Sequence, residues 1–204
     1  MTDRHDHPAA VVDDMSDRAE QIADAAMRLF ARYGFKRTAV DDIAKEARIA
    51  KATIYLHFKG KDDILRATLQ LLGQRVDALC REVMEMKAPF AKRLMALLRA
   101  HHCTAFLSIG AGDHFAELRA VIDDIAVKER KAFESIFVRY ATQLIEECEA
   151  RGEITLKRPG VDPAALITTL MQASVGAKVG GISYEDYEAR LGLFAGVIIA
   201  AVLP

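Results

Sequence analysis

Hydrophobic residues along this chain recur at three- and four-residue steps, and no stretch shows the sustained alternation of a β-strand. The first such stretch runs from Ile22 to Tyr33 and stops at Gly34, which predicts a helix over residues 17–33. A second helix is expected to open at Thr38, with Asp41 three residues later in the arrangement of a capping box. The pattern therefore indicates an all-α protein.

The same periodicity continues to the end of the chain. Residues 51–58 form a short helix with Ile54 and Phe58 facing inward, and a long helix runs from Lys61 to about Met86. Further helices are predicted over residues 90–109, 114–126, 127–150, 162–177 and 183–203, with a hinge-like break at 110–112 and a loop at 156–161. We divide the chain into a disordered N-terminal arm (residues 1–16), a small helical domain (17–62) and a larger helical domain (63–204).

Charge is unevenly spread over the 204 residues, although the formal net charge is only -1. Residues 28–61 hold nine Lys and Arg residues against three Asp and Glu residues, a local excess of +6. A basic segment on an otherwise acidic chain favours a polyanionic partner at one end of the molecule. An ordinary solvated surface explains the same charges equally well, so the charge alone does not decide.

Cysteine content and hydropathy bear on where the protein works. The three cysteines are odd in number and far apart, which indicates neither a disulfide framework nor a CxxC site and favours a reducing cytoplasm. No apolar signal core is found near the N-terminus, and the longest apolar run, residues 191–203, spans 13 residues. A bilayer needs about 20, so we expect no membrane association.

Residues 38–65 carry the strongest functional signal. Two short helices joined by a short turn form a helix-turn-helix, whose second helix can enter the major groove of double-stranded DNA. Its first residues, Lys51, Ala52 and Thr53, would face the base edges. Tyr55 and His57 lie further along and would anchor phosphates.

Residues 18–65 resemble the DNA-binding domain of the tetracycline-repressor (TetR) family. The resemblance rests on residues 25–34 (AAMRLFARYG), on Thr38, on the Ile43–Ala44 pair, and on residues 47–61 (ARIAKATIYLHFKGK). It implies a homodimer that binds an operator and, in most members, a repressor released by a small-molecule effector held in the larger domain. It also implies phosphate-contacting roles for Thr38, Tyr55, His57 and Lys61, and neither an enzymatic activity nor a cofactor.

Three positions depart from the family pattern. Arg48 stands where glycine is usual, so either the turn holds a non-glycine residue in a conformation that favours glycine, or the turn is helical there. Arg48 could also reach a phosphate. Ala50 replaces a serine cap, and Ala52 replaces a glycine at the start of the recognition helix. These substitutions leave the operator sequence open.

The larger domain is expected to supply the dimer interface and the effector pocket. Gly192 and Gly196 stand in a G-x-x-x-G spacing that permits close helix approach, and with Ala195 and Ile199 they form our candidate interface. The alternative is that this run is the core of its own domain. An apolar ligand is expected. Candidate lining residues are Leu98, Phe106, Phe115, Phe137, Tyr140 and Met171.

Three alternatives use other features of the chain. Imidazole and thiolate groups at His101, His102, Cys103 and His114 suit a metal- or redox-responsive regulator. Adjacent helical residues point to different faces, however, so the first three cannot all converge on one ion. A helical enzyme is disfavoured because no nucleophile–base set, HExxH or phosphate loop is present. A helical protein-binding adaptor is the third alternative.

Overall fold

The structure, a computed structural model, describes residues 8–109, 114–157, 162–180 and 182–204, with side chains from residue 17 onward. These residues are helical throughout apart from their connections, and they contain no strand. The helices are α1 (Pro8–Tyr33), α2 (Val40–Glu46), α3 (Lys51–His57), α4 (Lys61–Glu85), α5 (Phe90–Leu98), α6 (Thr104–Ile109), α7 (Phe115–Ile125), α8 (Val127–Ala150), α9 (Pro163–Gly176) and α10 (Tyr184–Val202). The all-α prediction is confirmed.

The beginning of α1 differs from the sequence prediction. Residues 8–16, expected to belong to a disordered arm, continue the helix toward the N-terminus, whereas residues 1–7 lie outside the described part of the chain. Pro8 occupies the first helical position, which proline favours, and Ala9 and Ala10 follow with high helix propensity. The acidic residues that suggested an arm are therefore compatible with a polar extension of α1.

The first four helices share one hydrophobic core. Apolar side chains of α1 and α2 meet Ile54 and Phe58, which face inward as predicted, and Ile64 and Leu65 from the start of α4. Gln21 of α1 donates a hydrogen bond to the carbonyl oxygen of Ala47 at 2.8 Å and so fixes the end of α2. The buried faces of α2 and α3 are thereby locked, and their other faces are left to solvent.

The cap of α2 lies one residue later than predicted. Ala39, not Thr38, occupies the N-cap position, and its backbone N–H donates to the carboxylate of Asp42 at 3.0 Å. Asp41, expected to close the capping box, is exposed instead. The displacement arises because the Thr38 hydroxyl is used elsewhere, as described below.

A second hydrophobic core joins α4, α5, α8, α9 and α10. At one end of this core Arg93 of α5 is almost fully buried and donates to the Met84 carbonyl oxygen and to the Glu147 carboxylate, both at 3.0 Å. One guanidinium thus ties the C-terminal ends of α4 and α8 to α5. Such a group is costly to bury unless its hydrogen bonds are made.

The predicted helix over residues 90–109 is a continuous rod with an irregular turn. Its middle residues, Arg99–Cys103, form a π-helical turn between α5 and α6. Such turns usually accommodate one extra residue and occur often at functional sites. The break predicted at residues 110–112 lies outside the described residues.

The last two helices begin as predicted. Asp162 caps α9 by accepting hydrogen bonds from the backbone N–H groups of Ala164 and Ala165, and Ser183 caps α10 by accepting from Asp186. The loop expected at residues 156–161 is described only up to residue 157. In the described part of the chain, no helix is both long enough and apolar enough to cross a membrane.

Candidate DNA-binding helix and ligand cavity

In the turn between α2 and α3, Arg48 has a left-handed backbone conformation that glycine adopts more easily. Arg48 has φ +54° and is the only non-glycine residue with positive φ among the described residues. Its backbone N–H donates to Lys45 at 3.1 Å, and that of Ile49 donates to Ala44 at 3.0 Å, so the turn is closed. The first of our two alternatives for Arg48, a left-handed turn residue, is the one observed. A non-glycine residue held there costs about 1–2 kcal/mol.

The side of α3 opposite Ile54 is open to solvent. Lys51, Ala52 and Tyr55 are exposed, with Tyr55 52% exposed, whereas Thr53 and His57 are half-buried. Lys51 forms an ion pair with Asp41 of α2 at 2.8 Å, and this hydrogen bond raises the pKa of the lysine. Both partners are exposed, so the pair is weak in water and can be exchanged for a phosphate.

Thr38 and Lys61 are used differently from our prediction. The Thr38 side chain is only 3% exposed, and its hydroxyl donates to the Gly34 carbonyl oxygen at 2.8 Å. The Lys61 ammonium donates to the carbonyl oxygens of Phe35 at 2.8 Å and Thr38 at 3.0 Å, and lies 4.4 Å from the Phe35 ring centroid. Both side chains hold the α1–α2 connection together. In this structure their polar groups donate to backbone carbonyl oxygens and not toward the surface that would meet a phosphate.

A cavity of about 80 Å³, measured as the space open to the centre of a water molecule, lies beside the irregular turn of the long rod. Only two predicted lining residues, Phe115 and Met171, line it. Leu98, Phe137 and Tyr140 belong to the second hydrophobic core, and Phe106 stacks on Tyr187 with ring centroids 4.6 Å apart. The polar and aromatic lining residues that were not predicted for the cavity are His101, His102, Arg119, Arg130, Phe133, Glu134 and Lys178.

The polar groups of the cavity are deeply buried. His101 and His102 are almost fully buried, and desolvation lowers the pKa of His101 to about 4 and that of His102 well below its ordinary value. His101 donates through Nε2 to the Phe133 carbonyl oxygen at 3.0 Å. Its Nδ1 and the Nε2 of His102 have no hydrogen-bond partner. Lys178 is 8% exposed, and burial lowers its pKa to about 8.

Helix α7 joins this cavity to the N-terminal domain. Phe115, Arg119 and Ile122 line the cavity, while Ile122 also packs in the N-terminal core with Leu118. Glu117 on the same helix accepts a hydrogen bond from the backbone N–H of Lys36 at 2.9 Å. A displacement of α7 by a bound molecule would therefore act directly on the α1–α2 connection.

The metal and redox alternatives gain no support from the geometry. No group of three or more possible ligands of the His, Cys, Asp and Glu types comes together among the residues that the structure describes. Cys80, Cys103 and Cys148 are all buried free thiols, and desolvation raises the pKa of each. A thiol with a raised pKa reacts slowly, because the thiolate is the nucleophile.

The candidate dimer interface on α10 divides into an inner and an outer part. Ala195 is fully buried in its own domain, and Ile199 is half-buried. Gly192 and Gly196 face open space, where an added Cβ would meet no atom within 4 Å. Beside them Leu193 and Val197 are 72% and 70% exposed. One side of α10 is thus part of the internal core, as the second alternative predicted, and its other side is exposed.

The structure thus combines a closely packed helix-turn-helix with a larger helical part that lines a cavity. Residues 22–68 match the family model of bacterial regulatory proteins, tetR family. The match covers the helix-turn-helix and the start of α4, and it agrees with the resemblance that the sequence motif predicted for this segment. The family consists of regulators, which agrees with our expectation that the protein is not an enzyme.

Similar proteins support the assignment at two levels. The Bacillus subtilis fatty acid metabolism regulator protein is 38% identical over 95 residues, which cover 46% of this chain and 46% of that protein. The chain thus spans less than half the length of this relative. A transcriptional regulator from Cytophaga hutchinsonii superposes with a TM-score of 0.72 at 18% identity, covering 91% of this chain and 98% of that one. A SmeT–triclosan complex does so with a TM-score of 0.65 at 17% identity, covering 92% of both chains. At such identities the two structures show the fold alone.

Proposed function

We propose that this protein is a cytoplasmic transcriptional regulator that binds double-stranded operator DNA as a homodimer through α3 and releases it when a small molecule occupies the cavity. The observation that carries this proposal is the exposed face of α3. Lys51, Ala52 and Tyr55 project from a helix whose other face is fixed by Ile54 and Phe58. A rigid helix with polar residues at its N-terminal end suits a major groove about 12 Å wide.

The roles along α3 follow from position. Lys51, Ala52 and half-buried Thr53 stand in the first turn and would choose the base sequence, whereas Tyr55 and His57 would contact phosphates. Arg48 is exposed in the turn before α3 and can reach a phosphate. Thr38 and Lys61 support this surface from behind by fixing the α1–α2 connection.

The outer faces of the last two helices support the proposed homodimer. α9 contains no charged residue, and α10 contains none from Leu191 to Val202. Leu193 and Val197 would remain in water on a monomer, whereas two-fold pairing of these helices would cover them. The glycines beside them allow two backbones to approach closely. Two copies of α3 would then read two half-sites about one helical turn apart.

Helix α7 lines the cavity and also packs in the N-terminal core, and this favours a repressor that a ligand releases from DNA. The cavity and the N-terminal core share Ile122, so a ligand that prefers a shifted α7 also disfavours the DNA-binding arrangement. The SmeT–triclosan complex supports the idea of a small-molecule site in this fold. The ligand affects DNA affinity only to the extent that it binds the two arrangements differently.

The test is binding of the full chain to duplex DNA from its own promoter region at several salt concentrations. Specific binding that falls steeply with salt supports the proposal, because phosphate contacts release counterions. Tyr55→Ala and Lys51→Ala should each weaken binding about tenfold or more while leaving the unfolding transition unchanged. Lys87→Ala, which removes an exposed lysine far along the chain between α4 and α5, serves as the matched control. Normal binding by both α3 variants would overturn the assignment of α3.

A further inference from the structure

The charges around the cavity do not balance. Arg130 chelates Glu134 through two contacts of 2.7 Å and lies 2.7 Å from Asp123, and Arg119 contacts the same two carboxylates at 3.0 and 3.7 Å. Two guanidinium groups are thus matched by two carboxylates. No such partner is found for Lys178 in the described ranges, so the cavity holds one positive charge in excess.

Lys178 is held in an apolar setting. Its ammonium lies 5.5 Å from the ring centroid of Phe115 and 5.6 Å from that of Tyr187, and it forms no ion pair with any described carboxylate. It follows the C-terminal end of α9, whose dipole favours a cation. With a pKa of about 8 it remains mostly protonated near neutral pH, so the lysine presents a charge rather than a neutral amine. A buried cation without an anion is unfavourable, and an anionic ligand would remove that cost.

The two neighbouring histidines complete a polar end of the cavity. His102 Nε2 has no partner and can donate or accept according to its tautomer. His101 already donates through Nε2, so its Nδ1 is an acceptor that suits a hydroxyl group or a water molecule rather than a carboxylate. Both rings line the cavity because the π-helical turn places two consecutive residues against it.

Apart from these groups and the paired Arg119, Arg130 and Glu134, the cavity is lined by apolar side chains. Leu69 and Leu72 of α4 and Phe133 of α8 provide one side, while Met171 and Val175 of α9 provide another. A molecule that matches this surface has a hydrophobic body and a single polar head. The expectation from sequence, an apolar ligand, therefore describes the body and omits the head.

We propose that the effector is an amphipathic monocarboxylate, with its carboxylate at Lys178 and His102 and its hydrocarbon body between α4, α8 and α9. This rests on the proposed function, since it names the chemistry of the effector of that same cavity. Lysine donates a charge-assisted hydrogen bond to the carboxylate, which is roughly twice as strong as a neutral one. The apolar walls supply affinity in proportion to the buried hydrocarbon.

The test compares three eight-carbon probes with the purified full chain by calorimetry near pH 7, without DNA. Octanoate should bind, and octan-1-ol should bind at least about tenfold more weakly than octanoate. Octylamine should bind least, because its positive charge repels that of Lys178. Lys178→Met should lower octanoate affinity about tenfold or more and leave octan-1-ol unchanged. Lys87→Met, an exposed lysine far from the cavity in sequence, is the matched control and should behave as the unaltered protein.

Equal affinities for octanoate and octan-1-ol would overturn the proposal, and so would unchanged octanoate binding by Lys178→Met. Failure of octanoate to bind the unaltered protein counts against the ligand class as well. Because no DNA is present, these results are independent of the operator experiment. Salt-dependent DNA binding together with no octanoate binding would reject the ligand class and leave the DNA-binding proposal standing. Thermal unfolding of Lys178→Met shows that the variant is folded, and removing a buried charge should not destabilise it.

Discussion

Glu117 accepts a hydrogen bond from the backbone N–H of Lys36 at 2.9 Å, which joins two residues 81 positions apart in the chain. Glu117 belongs to a helix that lines the cavity, and Lys36 belongs to the connection that leads into the helix-turn-helix. Ile122 makes a second, apolar link on the same helix. Helix α7 therefore lines the cavity and also contacts the helix-turn-helix part of the chain.

Removing this link should loosen the α1–α2 connection. Glu117→Ala is expected to speed amide hydrogen exchange at Lys36, because that N–H loses its acceptor, and to lower the free energy of unfolding by about 1 kcal/mol or less. Site-resolved hydrogen exchange makes the measurement. Glu82→Ala, at an exposed position on α4, is the control. Unchanged exchange at Lys36 would show that the contact does not protect this connection in solution.

Gly34 should tolerate a methyl group poorly. It has φ +84°, and a Cβ there would lie 3.3 Å from Glu117 Oε2 and from the His114 ring. Gly152 has φ +70° with no atom within 4 Å of the same added group, so Gly152→Ala measures the backbone cost alone, about 1–2 kcal/mol. Gly34→Ala should lower the free energy of unfolding further than Gly152→Ala in denaturant titrations. Equal losses of unfolding free energy in the two variants would mean that Glu117 and His114 move away from the added methyl group at no energetic cost.

The buried histidines should make stability depend on pH on the acidic side. The folded protein holds the pKa of His101 at about 4, below its ordinary value of 6.5, so the unfolded chain binds more protons between these values. The free energy of unfolding should therefore rise as pH increases from about 4 to 6.5 and should fall on acidification through the same range. Lys178 is the cation whose charge acts on both histidines, and its pKa of about 8 lies above that window.

His101→Gln should reduce the change in the free energy of unfolding between about pH 4 and 6.5. The contribution of His102 to that change should remain. Denaturant titrations at several pH values between about 4 and 7 provide the comparison. Gln74→Ala, at an exposed position on α4, removes no titratable group and is the control. A slope unaffected by His101→Gln would show that this imidazole is not kept neutral by burial.

The exposed side of α10 should control assembly. Val197→Glu places a charge in the proposed interface and should shift the protein from twice 22.5 kDa to 22.5 kDa in sedimentation at micromolar concentration. Leu79→Glu, at an exposed apolar position on α4, is the matched control and should remain dimeric. A monomer already present in the unaltered protein would reject the dimer altogether.

The sequence predicted the small domain well because its signals are local. The turn, Gly34 and the inward-facing Ile54 and Phe58 all lie within one short segment, and each has a specific backbone or packing role. Thr38 shows where this reasoning fails. A threonine beside a helix start suggests a cap or a phosphate ligand, but only the folded chain shows that the Gly34 carbonyl oxygen takes its hydroxyl.

The cavity was harder to predict because helices distant in sequence build it. Leu98 and Phe137 have the same composition and periodicity as true lining residues, yet they fill a core. His101 and His102 seemed unable to share a face, since neighbouring residues on an α-helix diverge. The π-helical turn changes that geometry, and periodicity carried no signal of it.

The π-helical turn at Arg99–Cys103 also sets the rotation of α6 about the helix axis relative to α5. Each helical residue advances about 100° round the axis, so one extra residue rotates everything beyond it by that angle. Loss of one codon within this turn would swing Ala105 and Ile109 away from the cavity and bring other side chains of α6 to its wall. One genetic event of this kind would change what the cavity accepts without altering any residue of α3.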